Sequence, residues 1–236
     1  MNTVFSIIRN AEFVKTKQYD VFVNSLKNLN SSVKVVILNS TSEELNKEDF
    51  KNCDILNISP NECDLNIYGS LLGYFGQIKF EDSDYILFTN VETTLFTRNP
   101  FDFFKHFKHD LFFYSPCHIN AESEKNKVNY ENYLKTCNFY LGNDFETFSI
   151  GDHFFAGKYN NFKALIFNLF MEVNRNSASI ITTQAVLSYS IRHLAGIYRT
   201  NILNHNFYKK VNSIQDVSDL LENEIESRKQ YMILYS

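Results

Sequence analysis

A single α/β domain, with a mainly parallel central sheet flanked by helices, is the architecture predicted for these 236 residues. Three observations predict it. Short, largely apolar runs recur at 4–8, 33–38 and 85–88, with the length and the β-branched or aromatic content of strands buried on both faces, and 54–58 reads as a further strand, third in order along the chain. Apolar residues at helical spacing lie between them: Phe22, Leu26 and Leu29 before the second run, and Tyr68, Leu71, Leu72 and Phe75 before the fourth. Strand, helix, strand in that order implies right-handed parallel crossovers. Finally, three of the runs give way to polar side chains at their ends, namely Arg9 and Asn10, Asn39 and Ser40, and Thr89, Asn90 and Glu92. In a parallel sheet these ends gather at the carboxyl edge, where open α/β sheets take their ligands.

The length suits one domain over 1–236 with an ordinary core. Phe (23) and Tyr (14) supply much of the apolar share. Formal charge is −4, with both signs interspersed, so the basic footprint of a nucleic-acid binder is missing and no nucleic-acid partner is expected. No apolar run approaches the ~20 residues a bilayer span needs, and none is expected. The amino terminus carries no signal-peptide pattern, and Cys53, Cys63, Cys117 and Cys137 show no paired spacing. Free thiols and a cytoplasmic location are the expectation.

In chain order, the strand over 4–8 is followed by Arg9, Asn10 and a loop, and then by the first helix, marked from Phe22 and stopped by the polar Asn30-Ser31-Ser32. After the strand over 33–38, Thr41-Ser42-Glu43-Glu44 has capping-box spacing and predicts a short helix. The strand over 54–58 is closed by Ser59-Pro60. In the next helix Gly69, Gly73 and Gly76 each cost about 1 kcal/mol relative to alanine, so close approach to a neighbour is expected there. Pro100 is placed as the first residue of a helix reaching 107, and a strand follows over 111–114. Residues 117–143 are polar and predict a long excursion. A strand-like run over 145–156 reaches Gly157. Phe162, Leu165, Ile166, Leu169, Phe170 and Val173 mark an amphipathic helix. A polar excursion over 201–206 holds His205, and a helix is expected over 214–231.

The stretch Asp84-Tyr85-Ile86-Leu87-Phe88-Thr89-Asn90-Val91-Glu92-Thr93-Thr94-Leu95-Phe96-Thr97-Arg98-Asn99-Pro100-Phe101 resembles the signature strand of nucleotide-sugar-dependent glycosyltransferases of the GT-A type. In that family the strand ends in Asp-x-Asp, which holds a divalent metal against the donor diphosphate. Here the motif reads Asn90-Val91-Glu92. Gly151-Asp152-His153-Phe154-Phe155-Ala156-Gly157 resembles a second landmark, Asn-Ser/Ala-Gly-x-x-x-Gly, keeping only its last glycine and with His153 in the place of a small residue, and Thr183-Gln184 resembles a third, Asp-Gln, with Thr183 where the family has Asp. The resemblance implies a GT-A-like (Rossmann-like) domain that takes a nucleotide-diphosphate sugar as donor and a glycan, protein or small molecule as acceptor. It implies donor contacts from Asn90, Glu92, His153 and Gln184, and metal ligation by Glu92, Asn90 and His205. Asn90 offers a neutral oxygen where the family has a carboxylate, so Mn²⁺ or Mg²⁺ should bind weakly or be dispensable. Substitution at all three landmarks keeps a catalytically inactive, binding or scaffolding relative as the alternative.

The chemistry needs charge neutralisation on the leaving diphosphate. Glu92 can act there through a metal, and Arg9 and Lys209 are the cations expected to serve without one. Arg9, Asn10 and Asn39 come to the donor edge through strand order. Asp152, beside His153, is the candidate general base.

Overall fold

Phe5 is fully buried in a strand of which every residue is buried, β1 (Thr3–Ile8). A computed structural model of the chain describes residues 1–59, 64–114, 117–118, 148–149, 154–175, 200–203, 207–211 and 230–235. In chain order the elements after β1 are α1 (Ala11–Lys15), α2 (Asp20–Ser25), β2 (Lys34–Asn39), β3 (Cys53–Asn57), α3 (Asp64–Gln77), β4 (Tyr85–Asn90), β5 (Thr94–Phe96), α4 (Pro100–Phe107) and β6 (Leu111–Tyr114). They continue with β7 (Cys117–His118), β8 (Phe148–Ser149), β9 (Phe155–Lys158), α5 (Tyr159–Arg175), β10 (Thr200–Leu203), β11 (Tyr208–Val211) and β12 (Met232–Tyr235).

The main sheet has seven strands in the order β10-β6-β9-β4-β1-β2-β3. β4, β1, β2 and β3 run parallel, as the alternation of runs and helices predicts. β9 is antiparallel to both its neighbours, β4 and β6, and β10 returns parallel to β6. The result is a mixed but mainly parallel α/β sheet. Beside it, β11-β12-β5 form a second, three-stranded sheet, which extends from the turn after β4.

Alternation along the strands divides the core into two layers. Phe5, Ile7, Val36, Leu38, Ile86 and Phe88 face α3 and α5, meeting Tyr68, Leu71, Phe75, Phe162, Leu165 and Leu169. Val4, Ile8, Val35, Ile37, Tyr85 and Leu87 face the other way, towards Phe13, Phe22, Phe101, Phe104, Met232 and Ile233. The phenylalanine content fills both layers. Phe75 alone meets Phe5 and Phe80 edge-on, at centroid distances of 5.7 and 5.8 Å, the arrangement that aromatic quadrupoles favour.

Several expectations are corrected. Residues 41–44 are a bend, not a helix. The Thr41 hydroxyl turns back to Asn39 Oδ1 (2.8 Å) and accepts from the Glu43 N–H (3.1 Å), a local turn that takes the hydroxyl away from the capping role. Residues 11–15, read as loop, are α1, with Asn10 as its N-cap. The polar excursion expected over 201–206 is strand as far as Leu203, because pairing with β6 supplies what local propensity does not. Of the helix expected over 214–231, residues 212–229 lie outside the described set; residues 230 and 231 are a bend leading into β12, whose Met232, Ile233 and Leu234 are buried and pair with β5. Among the glycines of α3, Gly69 does make a close approach, since a Cβ there would stand 3.3 Å from Phe170 Cε2. Gly73 and Gly76 have nothing within 4 Å, and the close-approach reading fails for them.

Candidate functional site

The parallel alignment of β4, β1, β2 and β3 brings their carboxyl ends to one edge, and the register is close: Ile8 pairs with Asn39, Ile7 with Asn90, and Asn39 with Asn57. The ladder continues past the strand ends. Ser40 N donates to Ile8 O (2.9 Å), Val91 N to Ile7 O (2.9 Å) and Ile58 N to Asn39 O (2.8 Å). Polar side chains therefore leave the sheet at a level edge, held by backbone bonds on both sides.

At β4, Asn90 is 6 % exposed and its Oδ1 accepts from the Glu92 N–H at 2.7 Å. This Asx turn folds the chain back after the strand. Glu92 is thereby carried over the end of β1, where its Oε1 accepts from Arg9 N (2.5 Å) and Asn10 N (2.6 Å). Asn10 in turn caps α1, its Oδ1 accepting from the N–H groups of Glu12 (2.9 Å) and Phe13 (3.4 Å). The arrangement satisfies backbone donors that the end of β1 and the start of α1 leave without partners.

At β2, Asn39 is buried and shapes the edge from within. Its Nδ2 donates to Glu43 O (2.8 Å) and Asn57 Oδ1 (3.2 Å), while its Oδ1 accepts from Thr41 N (3.2 Å) and Thr41 Oγ1 (2.8 Å). Beyond β3 the edge continues into an open cleft of about 450 Å³ lined by Asn57, Ser59, Asn66, Ser70 and Phe170. These are carboxamides, hydroxyls and one ring, without a formal charge. Arg9, exposed at the end of β1, brings positive charge to the edge.

Of the residues singled out from sequence, the structure brings Arg9, Asn10, Asn39, Asn90 and Glu92 together at this edge. Lys209 lies on β11, at the outer position of the second sheet. Asp152, His153, Gln184 and His205 fall outside the described residues. The backbone N–H groups of Arg9 and Asn10 were not legible as partners for Glu92, because a main-chain donor has no sequence signature. The N-cap role of Asn10 was: an Asn followed by Ala11-Glu12-Phe13-Val14 is an N-terminal helix signal.

A divalent ion of the kind the resemblance implies does not fit the described donors. The Asn90 oxygen is neutral and already accepts from Glu92 N, and the bonded oxygen of Glu92 accepts two N–H groups. Among the described residues no three His, Cys, Asp or Glu side chains assemble as they would around a metal, and hard cations depend on several oxygens with carboxylate charge.

The opposite edge of the sheet holds a larger cleft, of about 680 Å³, with an apolar floor from Val23, Leu26, Leu29, Val33, Phe50 and Cys53. Burial pushes the Cys53 thiol up to about 11, so it is protonated at neutral pH and a poor nucleophile. No helix among the described residues is long and apolar enough to cross a membrane.

This strand order, with its polar carboxyl edge, defines the class as an α/β domain with a mainly parallel sheet, and its likeness to a solved structure makes the fold GT-A-like. No known family's sequence profile matches the chain, and no curated protein matches it in sequence. Among solved structures, the galactosyltransferase LgtC, crystallised in complex with donor and acceptor sugar analogs, aligns over 100% of this chain and 87% of its own. The TM-score is 0.55 and the identity 10%. At that identity the likeness is one of fold.

Proposed function

We propose that this protein is a glycosyltransferase, moving a sugar from a nucleotide-diphosphate donor to a glycan, protein or small-molecule acceptor. The observation that carries the reading is the level carboxyl edge where Arg9, Asn10, Asn39, Asn90 and Glu92 converge, on a fold shared with a galactosyltransferase. Breaking a glycosyl–phosphate bond leaves charge on the diphosphate, and the enzyme must meet that charge. In this proposal Arg9 meets it at the end of β1, with Lys209 approaching from the second sheet. His153 and Gln184 contact the donor sugar, and Asp152 accepts the proton of the acceptor hydroxyl. Were Mn²⁺ or Mg²⁺ to bind, Glu92, Asn90 and His205 would be the residues to hold it, and it would supply charge neutralisation on the diphosphate. Because the described donors do not fit such an ion, no step here depends on one.

A second reading, a relative that binds donor or glycan without turnover, is favoured by a specific observation. The side chains of Asn39, Asn90 and Glu92 are all hydrogen-bonded within the protein. One experiment separates the two. In a thermal-shift panel of nucleotide sugars, a true donor at a hundred times its dissociation constant adds about 2.7 kcal/mol of stability, a shift of several degrees for a chain of this length. Release of free sugar from the stabilising donor supports the transferase. Binding without release supports the second reading, and a panel without a hit contradicts both.

A further inference from the structure

Glu92 is the one carboxylate of the Asn90-Val91-Glu92 turn, and a single oxygen of it accepts from both Arg9 N and Asn10 N, at 2.5 and 2.6 Å. These bonds join the turn after β4 to the turn after β1 across 83 and 82 residues of sequence. Both turns are braced locally as well. Asn90 Oδ1 holds Glu92 N from one side, and Asn10 Oδ1 holds Glu12 N from the other. We infer that Glu92 is a positioning residue, a charged clamp that holds the Arg9 and Asn10 turn against β4, and that a nucleotide diphosphate binds at this edge without a divalent cation bridging it to Glu92.

Hydrogen bonds to an ionised acceptor are roughly twice as strong as neutral ones. Recruiting Glu92 to a cation would draw charge away from two of them and gain only a neutral oxygen from Asn90. The ligand half of the inference rests on the functional reading above, whereas the clamp stands on geometry alone.

The test uses the full chain with Glu92→Gln, which keeps an accepting oxygen but not the charge, and Glu92→Ala, which removes the acceptor. Amide hydrogen exchange reads the clamp at Arg9 and Asn10. UDP and GDP, each titrated calorimetrically in EDTA and again in Mn²⁺, read the binding. Exchange at the two amides should quicken by about tenfold or more in Glu92→Ala and by less in Glu92→Gln. The wild type should bind with the same dissociation constant in EDTA and in Mn²⁺. Binding should weaken in Glu92→Ala and recover in Glu92→Gln, a rescue that a metal ligand would not give. Unchanged exchange in Glu92→Ala overturns the clamp. A gain of about tenfold on adding Mn²⁺ that Glu92→Gln abolishes overturns the metal-free binding. If neither nucleotide binds the wild type, the ligand half falls with the functional reading, and exchange still decides the clamp. Should Glu92→Ala fail to fold, the exchange and Mn²⁺ comparisons in Glu92→Gln decide both halves.

Discussion

Gly157 sits in β9, pressed between β4 and β6. A Cβ there would stand 2.6 Å from Leu111 Cδ2 and 2.8 Å from Asp110 O. A leucine side chain can turn away, but the backbone carbonyl just before β6 cannot. Gly157→Ala is therefore expected to destabilise by about 1–3 kcal/mol, seen as a lowered midpoint in urea unfolding with the slope unchanged. Gly73 is the opposite case. It is exposed in the middle of α3, its φ is not positive, and nothing lies within 4 Å of its would-be Cβ. Gly73→Ala should raise stability by about 0.5–1 kcal/mol in the same measurement. Both glycines were visible in the sequence, but their opposite roles were not. The difference depends on which element packs against each one, and a one-dimensional pattern does not carry that.

Among the elements, the loop before β3 shows how tertiary contacts hold a segment that local signals misassign. Tyr19, buried at the start of α2, donates its hydroxyl to Asp49 Oδ2 at 2.8 Å and stacks obliquely on Phe50. Burial first, and the neighbouring Asp49 carboxylate second, push the Tyr19 phenol up to about 12. The unfolded chain gives up that proton near the ordinary value of about 10. The contribution is therefore fully present below pH ~10 and is lost as pH rises from there towards the folded value. Tyr19→Phe should cost about 1 kcal/mol at pH ~8, where the hydrogen bond is intact. The gap between variant and wild type should close by pH ~11, and denaturant unfolding at the two pH values checks it. A gap that stays constant would mean that Tyr19 ionises alike in both states. Signals for α1 and for the bend at 41–44 were present in the sequence, in Asn10 and in the pair Asn39 and Thr41. Choosing between a cap and a turn required knowing where each hydroxyl or carboxamide finds its partner.

For the molecule as a whole, the parallel half of the sheet was legible because β1, β2 and β4 are buried on both faces, so their sequences are mostly apolar; β3, partly exposed with Asp54 and Asn57, carried a weaker signal. Of the remaining strands, β6 was legible as the run over 111–114, whereas others were not. β5, β10, β11 and β12 are three or four residues long and exist through pairings such as Met232 with Phe96, which no local window contains. The same division applies to the site. Topology alone brought Asn10, Asn39 and Asn90 to one edge, while the bonds from Glu92 to main-chain donors became visible only in three dimensions. The central claim is that a nucleotide diphosphate occupies this edge. Backbone amide exchange, mapped with and without the nucleotide sugar that stabilises the chain most, tests it directly. Protection concentrated at residues 8–10, 39–40 and 89–92 is the expected result. Protection confined instead to the cleft of Val23, Phe50 and Cys53 at the opposite edge, or no protection at all, would contradict the account.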